Sequence, residues 1–370
     1  PQEAVALEPF TPAEQLLPSI VAVLDVFEAE GERKSRVRAR LKFLVKKLGR
    51  EVFLEKVLAR REELLAEGMR STITPHPVGP GEADVPLPEE LPAELATVVE
   101  NATDRFRGWV NGNVLRQRQG DRFAVFAAIY LGDLTTEQFR GIARVMRDND
   151  LEDARLTIRQ NVVIRDVPAD RLAYVWAGLA ELDLVRPLAE KSGDVVSCPG
   201  AETCNLAITA SRGLGEAITN ELERTALDQV EGVSINISGC PNSCGQHQAW
   251  DLGFSGLAMR DSKGNEGPGY RVYVGGHIED GGAKYGDYVT KVPAKNAPIA
   301  ATRVLEKFKA ERQGDEPVWQ WYERVGKAEL KEVLADLTGI AEKEDDPSYF
   351  VDLGNSSSFE VILGQGECMT

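Results

Sequence analysis

The 370-residue sequence lacks any apolar run that approaches the roughly 18 residues needed to cross a bilayer. Residues Pro1 to Phe10 show no basic start followed by an apolar stretch, so no secretory signal is visible. The sequence also lacks net positive charge, since its formal charge is −16. This acidic balance argues against a broad nucleic-acid-binding surface. These absences predict a cytoplasmic protein without a membrane span. Since the sequence starts with Pro1 rather than Met, we interpret it as a processed product or, in preference, a fragment of a longer protein.

Cysteine is scarce, and its placement is uneven. Four of the five cysteines fall in two short stretches, Cys198 with Cys204 and Cys240 with Cys244, spaced C-x5-C and C-x3-C. In a chain without a secretory signal, clustered thiols are more often metal ligands than disulfides. The C-x5-C loop is long for a zinc knuckle, so the spacing favours an iron–sulfur cluster, with structural zinc and metal-free cysteines left open. The fifth cysteine, Cys368, has no assigned role.

The length of the chain predicts two or more domains. Six prolines between residues 71 and 92 deny the backbone helix and ladder hydrogen bonds, which predicts a linker there. Residues 1–70 before the linker are predicted to be helical, over 12–29 and 33–67. Residues 93–190 alternate between strand and helix patterns and predict a compact α+β unit. Its elements are strands at 122–130, 155–158 and 162–167, and helices at 135–148 and 169–182.

Residues 191–315 form the predicted domain that contains the cysteines. A short strand at 195–196 ends next to Cys198, and an alternating strand at 233–237 delivers Cys240. The other predicted elements are helices at 211–225 and 298–312 and strands at 252–259 and 270–274. Residues 316–370 are expected to contain a helix over 317–337 and an acidic tail.

Positive charge is concentrated in residues 33–50, which contain nine basic side chains and no acidic one. A solvated helix face is one interpretation, which composition alone favours, and a polyanion site is the other. The basic residues are Arg33, Lys34, Arg36, Arg38, Arg40, Lys42, Lys46, Lys47 and Arg50.

The two cysteine stretches, Ser197-Cys-Pro-Gly-Ala-Glu-Thr-Cys204 and Gly239-Cys-Pro-Asn-Ser-Cys-Gly245, resemble the cluster signatures of siroheme-dependent nitrite and sulfite reductases. The segment Arg155-Leu-Thr-Ile-Arg-Gln-Asn-Val-Val-Ile164 resembles part of the ferredoxin-like half-domain of that family. The resemblance covers roughly residues 30–312. It implies an α+β fold: a ferredoxin-like half-domain, then a mixed α/β cluster domain, preceded by helices from the end of a first siroheme-binding domain. The chain therefore resembles the C-terminal part of such an enzyme.

The resemblance also implies cofactors and a reaction. Cys198, Cys204, Cys240 and Cys244 would hold a [4Fe–4S] cluster, and the Cys244 thiolate would also bridge to the siroheme iron. The expected reaction is the six-electron reduction of nitrite to ammonium or sulfite to sulfide, with electrons from a ferredoxin. The segment from Cys244 to Phe254 resembles the nitrite-reducing members slightly more than the sulfite-reducing ones. The arginines and lysines that grip the anion are expected upstream of this sequence.

Further residues enter as candidates beside these cofactors. Arg40 and Lys42 match a basic segment near the siroheme of the family and would contact its carboxylates, whereas solvated surface is the alternative. Thr203, Asn242 and Gln160 could contact the cofactors or could only shape turns and strand ends. His247 is interpreted as a neighbour of the site or a solvent-facing side chain rather than a ligand. Weak candidates for a ferredoxin dock are Lys291, Lys295 and Lys307.

Two other classes of function stay open at this point. In the first, the chain is a [4Fe–4S] electron-transfer or assembly module that never holds siroheme. In the second, it is a zinc-stabilised binding domain.

Overall fold

A computed structural model describes residues 4, 6–35, 38–72, 85–96, 101–118, 120–279 and 282–361. Cys368, Arg36 and most of the proline-rich segment lie outside these ranges. The chain divides into two compact units, residues 1–79 and 80–370, which are described separately. Within the described ranges, no helix is both long enough and apolar enough to cross a membrane.

The first unit is helical. Its helices are α1 (Leu16–Glu30), α2 (Leu41–Leu48) and α3 (Arg50–Ala66). Their apolar faces share a small core of Ala22, Val26, Leu44, Phe53, Val57 and Leu64. The predicted single helix over 33–67 is wrong, because Gly49 separates α2 from α3 with a φ of 84°. Glycine adopts this left-handed conformation readily, so it ends one helix and begins the next.

The second unit begins with an α+β layer. The short helix α4 (Ala93–Ala96) is followed by α5 (Ala102–Asn113) and an antiparallel sheet in the order β1-β2-β4-β3. Helices α6 and α7 connect and follow its strands. The bounds are β1 Val114–Arg116, β2 Arg122–Ala127, α6 Thr136–Asp148, β3 Ala154–Leu156, β4 Val162–Pro168 and α7 Leu172–Ala180. The predicted strands and helices are present with shifted ends, whereas α5 and β1 were not predicted.

Two features define this layer. Thr135 caps α6, because its side chain accepts from the Gln138 N–H while the Gln138 side chain accepts from the Thr135 N–H. This capping box fixes the helix start that the sequence predicted. The core between helices and sheet is aromatic: the Phe106 ring lies 6.0 Å from that of Trp109 and 5.7 Å from that of Trp176, and all three side chains are buried.

A second, mixed sheet follows in the order β11-β8-β7-β6-β5. Strands β5, β6 and β7 are parallel to one another, while β8 and β11 run antiparallel to their neighbours. Helices α8 and α9 pack with it around the largest described core. The bounds are β5 Val196–Ser197, α8 Ser211–Arg224, β6 Ile235–Ser238, β7 Leu252–Arg260, β8 Glu266–Val274, β9 His277–Glu279, β10 Gly282–Lys284, β11 Asp287–Pro293 and α9 Ala297–Glu311. The sequence did not predict β9, β10 or β11.

The parallel pairing of β5 with β6 positions the cysteines. Ser197 pairs with Ile237, so both strands end at the same edge of the sheet. Cys198 follows β5 directly, and Cys240 follows β6 after one residue. The two cysteine loops therefore leave the sheet side by side.

The C-terminal helices are α10 (Val318–Val325) and α11 (Lys327–Val333). The predicted single helix over 317–337 is wrong, since Gly326 breaks it with a φ of 84°. Beyond α11 the chain returns towards the cysteine loops. The buried carboxylate of Asp352 accepts a 2.7 Å hydrogen bond from the Ala210 N–H, just before α8 begins.

Candidate metal centre

The first cysteine loop turns tightly at the end of β5. The Cys198 N–H donates to the Ile237 carbonyl at 3.1 Å, which extends the pairing of β5 with β6 by one residue. The Cys204 N–H then donates to the Gly200 carbonyl at 2.9 Å. Gly200 has a φ of 63°, and a Cβ there would lie 2.4 Å from the Ser211 nitrogen. Only glycine fits this turn without displacing the start of α8.

Gly239 ties the two loops together. Its carbonyl accepts from the Ile208 N–H at 2.8 Å and from the Thr209 N–H at 3.1 Å. Its own N–H donates to Cys198 Sγ at 3.2 Å. A Cβ on Gly239 would lie 2.6 Å from the Thr209 carbonyl oxygen. The loop that carries Cys240 is therefore held against the loop that carries Cys198 and Cys204.

Ser211, the first residue of α8, also contacts Cys198. Its hydroxyl donates to the Cys198 carbonyl at 2.6 Å, and its Oγ lies 3.3 Å from Cys198 Sγ. With Gly239, this gives the sulfur two polar neighbours. Such outer hydrogen bonds orient a thiolate ligand and tune the potential of a bound cluster.

The second cysteine loop is fixed by the strand that it leaves. The Gly245 N–H donates to Ser238 Oγ at 3.0 Å, and Asn236 Nδ2 donates to the Gly245 carbonyl at 2.8 Å. Ser243, directly before Cys244, adopts a φ of 64°, in the left-handed region that serine rarely occupies. The spacing of Cys240 and Cys244 is thereby set by contacts to β6.

The four cysteines are free thiols with different exposures. Cys240 is buried, Cys198 is half-buried, and Cys204 and Cys244 are exposed. Burial raises the pKa of Cys240, and the charges of the other three thiolates raise it further. Burial likewise raises the pKa of Cys244, with Cys198 and Cys204 adding to the effect. The thiols thus act on one another electrostatically, and a bound cation would relieve the repulsion between their thiolates.

The four thiols lie on two loops that leave the same edge of the mixed sheet. Among the described residues, no three His, Cys, Asp or Glu side chains are arranged to hold one ion. Four thiols on two loops suit the corners of a larger cluster.

Thr203 and Asn242 stand beside the exposed thiols. Both are exposed, one directly before Cys204 and the other between Cys240 and Cys244. Neither side chain has a hydrogen-bond partner within the described part of the protein. They are therefore available to a group that covers the exposed thiols.

Gln160 contacts the strand that precedes the first cysteine loop, and His247 follows the second loop in sequence. Gln160 Nε2 donates to the Ser197 carbonyl at 2.8 Å, and its Oε1 accepts from the Ser197 N–H at 3.2 Å. His247 is fully buried, its ring centroid lies 5.1 Å from that of Tyr273, and neither ring nitrogen has a partner among the described residues. Burial lowers the pKa of His247 to about 4.

The predicted basic residues lie in the first unit. Arg40 is exposed directly before α2, and Lys42 Nζ lies 5.4 Å from the Phe43 ring centroid. Beside them is a cavity of about 730 Å³ whose wall contains five basic residues and two acidic ones, Glu30 and Glu32. Sequence reasoning singled out Arg40 and Lys42, whereas the described lining contains neither. The basic residues that line the cavity are Arg33, Lys34, Arg38, Lys46 and Lys47. They belong to the nine-cation run of residues 33–50, and the contact of Arg40 and Lys42 with a cofactor stays a prediction.

The lysines proposed for a ferredoxin dock are mostly neutralised. Lys295 pairs with Asp346 at 2.6 Å, and Lys307 pairs with Glu311 and Glu329. Lys291 is exposed on β11. Two of the three candidates therefore carry little free positive charge.

The chain matches two models of known protein families. The family model described as the nitrite and sulphite reductase 4Fe-4S domain matches residues 1–64 and 189–340, more than half of the chain. The chain belongs to the nitrite and sulphite reductase family. A second family model, the nitrite/sulfite reductase ferredoxin-like half domain, matches residues 115–182. The predicted α+β fold class is confirmed, and the family supports the expected cofactors, a [4Fe–4S] cluster and siroheme.

Some relatives of the chain are named as sulfite reductases and others as nitrite reductases. "Sulfite reductase [ferredoxin] 2" of Mycolicibacterium paratuberculosis is 29% identical over 315 residues, which is 84% of this chain and 51% of the relative. "Ferredoxin--nitrite reductase, chloroplastic" of Spinacia oleracea is 29% identical over 312 residues, 84% of this chain and 48% of the relative. The chain thus spans about half the length of these relatives. Since one of them is named as chloroplastic, the expected cytoplasmic location stays a prediction.

A solved structure agrees with the fold. The structure of the Mycobacterium tuberculosis NirA protein is 28% identical in sequence and superimposes with a TM-score of 0.61. The similarity covers 85% of this chain and 53% of the NirA chain.

Proposed function

We propose that the chain supplies the cluster-holding part of an oxidoreductase that reduces nitrite to ammonium or sulfite to sulfide. Each reaction consumes six electrons, and we assign their delivery to a ferredoxin. The names of the relatives support the proposal, since one is called a sulfite reductase and another a nitrite reductase, and both names include ferredoxin. The observation that carries the proposal is structural: four free thiols sit on two loops joined through Gly239, at the common edge of β5 and β6.

The proposed cluster ligands are Cys198, Cys204, Cys240 and Cys244. Their loops fit a thiolate-bound group because Gly239 donates to Cys198 Sγ and Gly200 leaves no space for a side chain against α8. When bound, the cluster and siroheme supply electron storage and the iron at which the oxyanion is reduced.

Cys244 is the proposed bridge between the cluster and the siroheme iron. It is exposed, and it directly follows Ser243, whose φ is 64°. Exposure is what a ligand shared with a second cofactor requires, whereas buried Cys240 suits a ligand of the cluster alone. Thr203 and Asn242, which flank the exposed thiols, are the proposed hydrogen-bonding contacts to the cofactors.

The basic residues of the first unit are proposed to bind the siroheme carboxylates. Charge-assisted hydrogen bonds from arginine and lysine are the usual partners of such groups. Arg40 and Lys42 keep this role as a prediction from the sequence. The cations that line the 730 Å³ cavity extend the proposal to a further set of residues.

The domain boundaries also remain part of the proposal: 1–70, 71–92, 93–190, 191–315 and 316–370. Residues 1–64 and 189–340 match the same family model. This supports assigning the first 70 residues to the end of one siroheme-binding domain and residues 191–315 to another. The chain divides between residues 79 and 80, inside the proline-rich segment.

The choice between nitrite and sulfite rests on turnover. The sequence from Cys244 to Phe254 leans towards nitrite, while the relatives include reductases of both anions. The complete gene product should be assayed with each anion and reduced ferredoxin. A strong preference for sulfite would overturn the prediction that nitrite is the substrate.

The visible spectrum of the complete protein, purified without oxygen, tests the cofactors. We expect siroheme Soret and red-region bands with about four acid-labile sulfides per cluster. A single broad brown shoulder would instead indicate a cluster without siroheme, and a colourless protein would indicate zinc or no metal. Either of these results would overturn the proposed reductase.

Cys244→Ser tests the bridge. We expect it to abolish the electronic coupling between cluster and siroheme and to abolish turnover. Cys368→Ser is the matched control, since it removes the cysteine outside the proposed ligand set, and it should leave spectrum and turnover unchanged. Full activity and an unaltered siroheme spectrum in the Cys244 variant would show that this thiolate is not the bridge.

A further inference from the structure

Ser197, the residue before Cys198, has main-chain groups on the open side of its strand. β5 ends the mixed sheet, with β6 on one side and no described strand on the other. The residue is only 1% exposed, so water does not satisfy an unpaired N–H or carbonyl there. A buried main-chain group without a hydrogen-bond partner destabilises the folded state. The open side of β5 therefore needs a partner from elsewhere in the fold.

The side chain of Gln160 is that partner. Its Nε2 donates to the Ser197 carbonyl at 2.8 Å, and its Oε1 accepts from the Ser197 N–H at 3.2 Å. One amide group thus reproduces both hydrogen bonds that a neighbouring strand would make. Gln160 sits in the turn between β3 and β4, in the ferredoxin-like layer, so the contact joins one sheet to the other.

The turn that carries Gln160 is held in an uncommon conformation. Gln160 has a φ of 64°, in the left-handed region that residues other than glycine, asparagine and aspartate rarely adopt. Hydrogen bonds between Thr157 and Asn161 close the turn, with the Thr157 N–H donating to the Asn161 carbonyl at 2.9 Å. Such strain persists only where the surrounding contacts determine the conformation.

The neighbours of Gln160 anchor the turn to the chain just upstream of Ser197. Arg159 Nε lies 3.2 Å from Asp194 Oδ2, and its Nη2 donates to the Asp194 carbonyl at 2.9 Å. Asn161 Nδ2 donates to the Asp194 carboxylate at 2.9 Å. Arg159, Asn161 and Asp194 are all buried. Three consecutive residues of the turn therefore hold residues 194–197, and Gln160 is the one that contacts the residue beside the cysteine.

We infer that Gln160 is a positioning residue for the cluster: its amide fixes the main chain of Ser197 and thereby sets where Cys198 Sγ lies. The inference rests on the proposed function, since it assigns Cys198 as a cluster ligand. It gives the ferredoxin-like layer a direct part in shaping the metal centre. It also gives Gln160 an indirect role in place of the cofactor contact predicted from the sequence.

Gln160→Met and Gln160→Glu in the complete protein test the inference. Methionine keeps the length but removes both hydrogen bonds, and glutamate keeps the acceptor but sets a carboxylate against the Ser197 carbonyl. We expect both variants to retain the cluster, to change the EPR g-values of the reduced cluster, and to lose iron to a chelator roughly fivefold faster, the factor for about 1 kcal/mol.

The matched control is Gln138→Met in the same layer. The Gln138 amide also bonds main chain in both directions, to the Thr135 N–H at 3.0 Å and the Leu182 carbonyl at 3.1 Å, and neither is near Ser197 in sequence. This variant should destabilise the layer without changing the EPR spectrum. Equal effects from Gln138→Met and Gln160→Met, or no effect from either Gln160 variant, would overturn the positioning role.

A second readout does not depend on a bound cluster. After the cluster is removed from the complete protein, alkylation followed by mass spectrometry reports the reactivity of each cysteine. We expect Gln160→Met to raise the labelling rate of Cys198 and to leave that of Cys240 unchanged. If the wild-type protein held no cluster, the proposed function would fail while this measurement still decided whether Gln160 fixes Cys198; unchanged Cys198 labelling would overturn the inference by itself.

Discussion

The main-chain N–H of Gly239 lies 3.2 Å from Cys198 Sγ, so the loop of one cysteine pair donates a hydrogen bond to a cysteine of the other. The same residue accepts two hydrogen bonds from the first loop through its carbonyl. Gly239 thus couples the loop that carries Cys240 to the loop that carries Cys198. A change there should affect the metal centre before it affects the fold.

Gly239→Ala is expected to lower cluster occupancy. A Cβ at this position would lie 2.6 Å from the Thr209 carbonyl oxygen and 3.1 Å from Gly200 Cα, both main-chain atoms that cannot rotate away. The two loops must then separate, and the hydrogen bond to Cys198 Sγ lengthens. Iron and acid-labile sulfide per chain, measured after purification without oxygen, should both fall.

Gly108→Ala provides the control for that substitution. Gly108 lies inside α5, and a Cβ there would meet no heavy atom within 4 Å. Alanine in a helix interior is more stable than glycine by about 0.5–1 kcal/mol, so the control should hold a full cluster and unfold at a slightly higher temperature. Equal cluster content in the two variants would contradict the role assigned to Gly239.

Ser211→Ala should make the reduction potential of the cluster more negative. The single Ser211 hydroxyl hydrogen is shared between the Cys198 carbonyl, 2.6 Å from Oγ, and the Cys198 sulfur, 3.3 Å from Oγ. Its contact with the sulfur stabilises the reduced, more negative state of the cluster. Redox titration monitored by EPR measures the shift. Thr225→Ala, which removes a hydroxyl from the other end of the same helix, should leave the potential unchanged. A potential equal to wild type in Ser211→Ala would indicate that its hydroxyl serves only the Cys198 carbonyl.

His247 should make stability depend on pH. Burial lowers its folded-state pKa from 6.5 to about 4, so the unfolded chain takes up a proton at a pH where the folded protein does not. The contribution is complete above pH 6.5 and is lost as the pH falls towards 4. Between pH 7 and pH 5 the loss amounts to about 2 kcal/mol in the free energy of unfolding.

His247→Gln removes the titrating group and isolates this effect. The difference in unfolding free energy between wild type and variant, from urea titrations at pH 7 and pH 5, should change by that amount in favour of the variant at pH 5. Because other buried carboxyls titrate in both proteins, only the difference is informative. A difference that is the same at both pH values would show that His247 is not held neutral by burial.

The helices illustrate what sequence patterns could predict about the fold. The apolar periodicity identified helical regions on both sides of Gly49 and of Gly326, but it joined each pair into one helix. A glycine within a helical pattern is compatible with continuation, and only the backbone shows that both adopt a φ of 84°. The start of α6 was predictable because Thr135 and Gln138 form a cap from local sequence alone.

The candidate site also has some features that the sequence predicted and others that only the folded structure shows. The cysteine spacing and the strand patterns before Cys198 and Cys240 predicted two loops at strand ends, and the parallel pairing of β5 with β6 brings these ends together. By contrast, the contacts of Gln160 with Ser197 and of Asp352 with Ala210 join residues distant in sequence. No local pattern marks such pairs, because they arise only when separate elements pack.

The basic cavity of the first unit yields the last prediction. Lys46 and Lys47 end α2 and line the 730 Å³ cavity together with Arg33, Lys34 and Arg38. If these cations bind siroheme carboxylates, the double substitution Lys46→Glu with Lys47→Glu places like charges against them and weakens binding. The complete protein should then contain less siroheme, measured by absorbance of the extracted pigment, with unchanged acid-labile sulfide. Lys291→Glu, an exposed cation on β11, is the control and should retain both cofactors. Parallel loss of siroheme and sulfide would point to general destabilisation, and full siroheme content in the double variant would exclude these lysines from its binding.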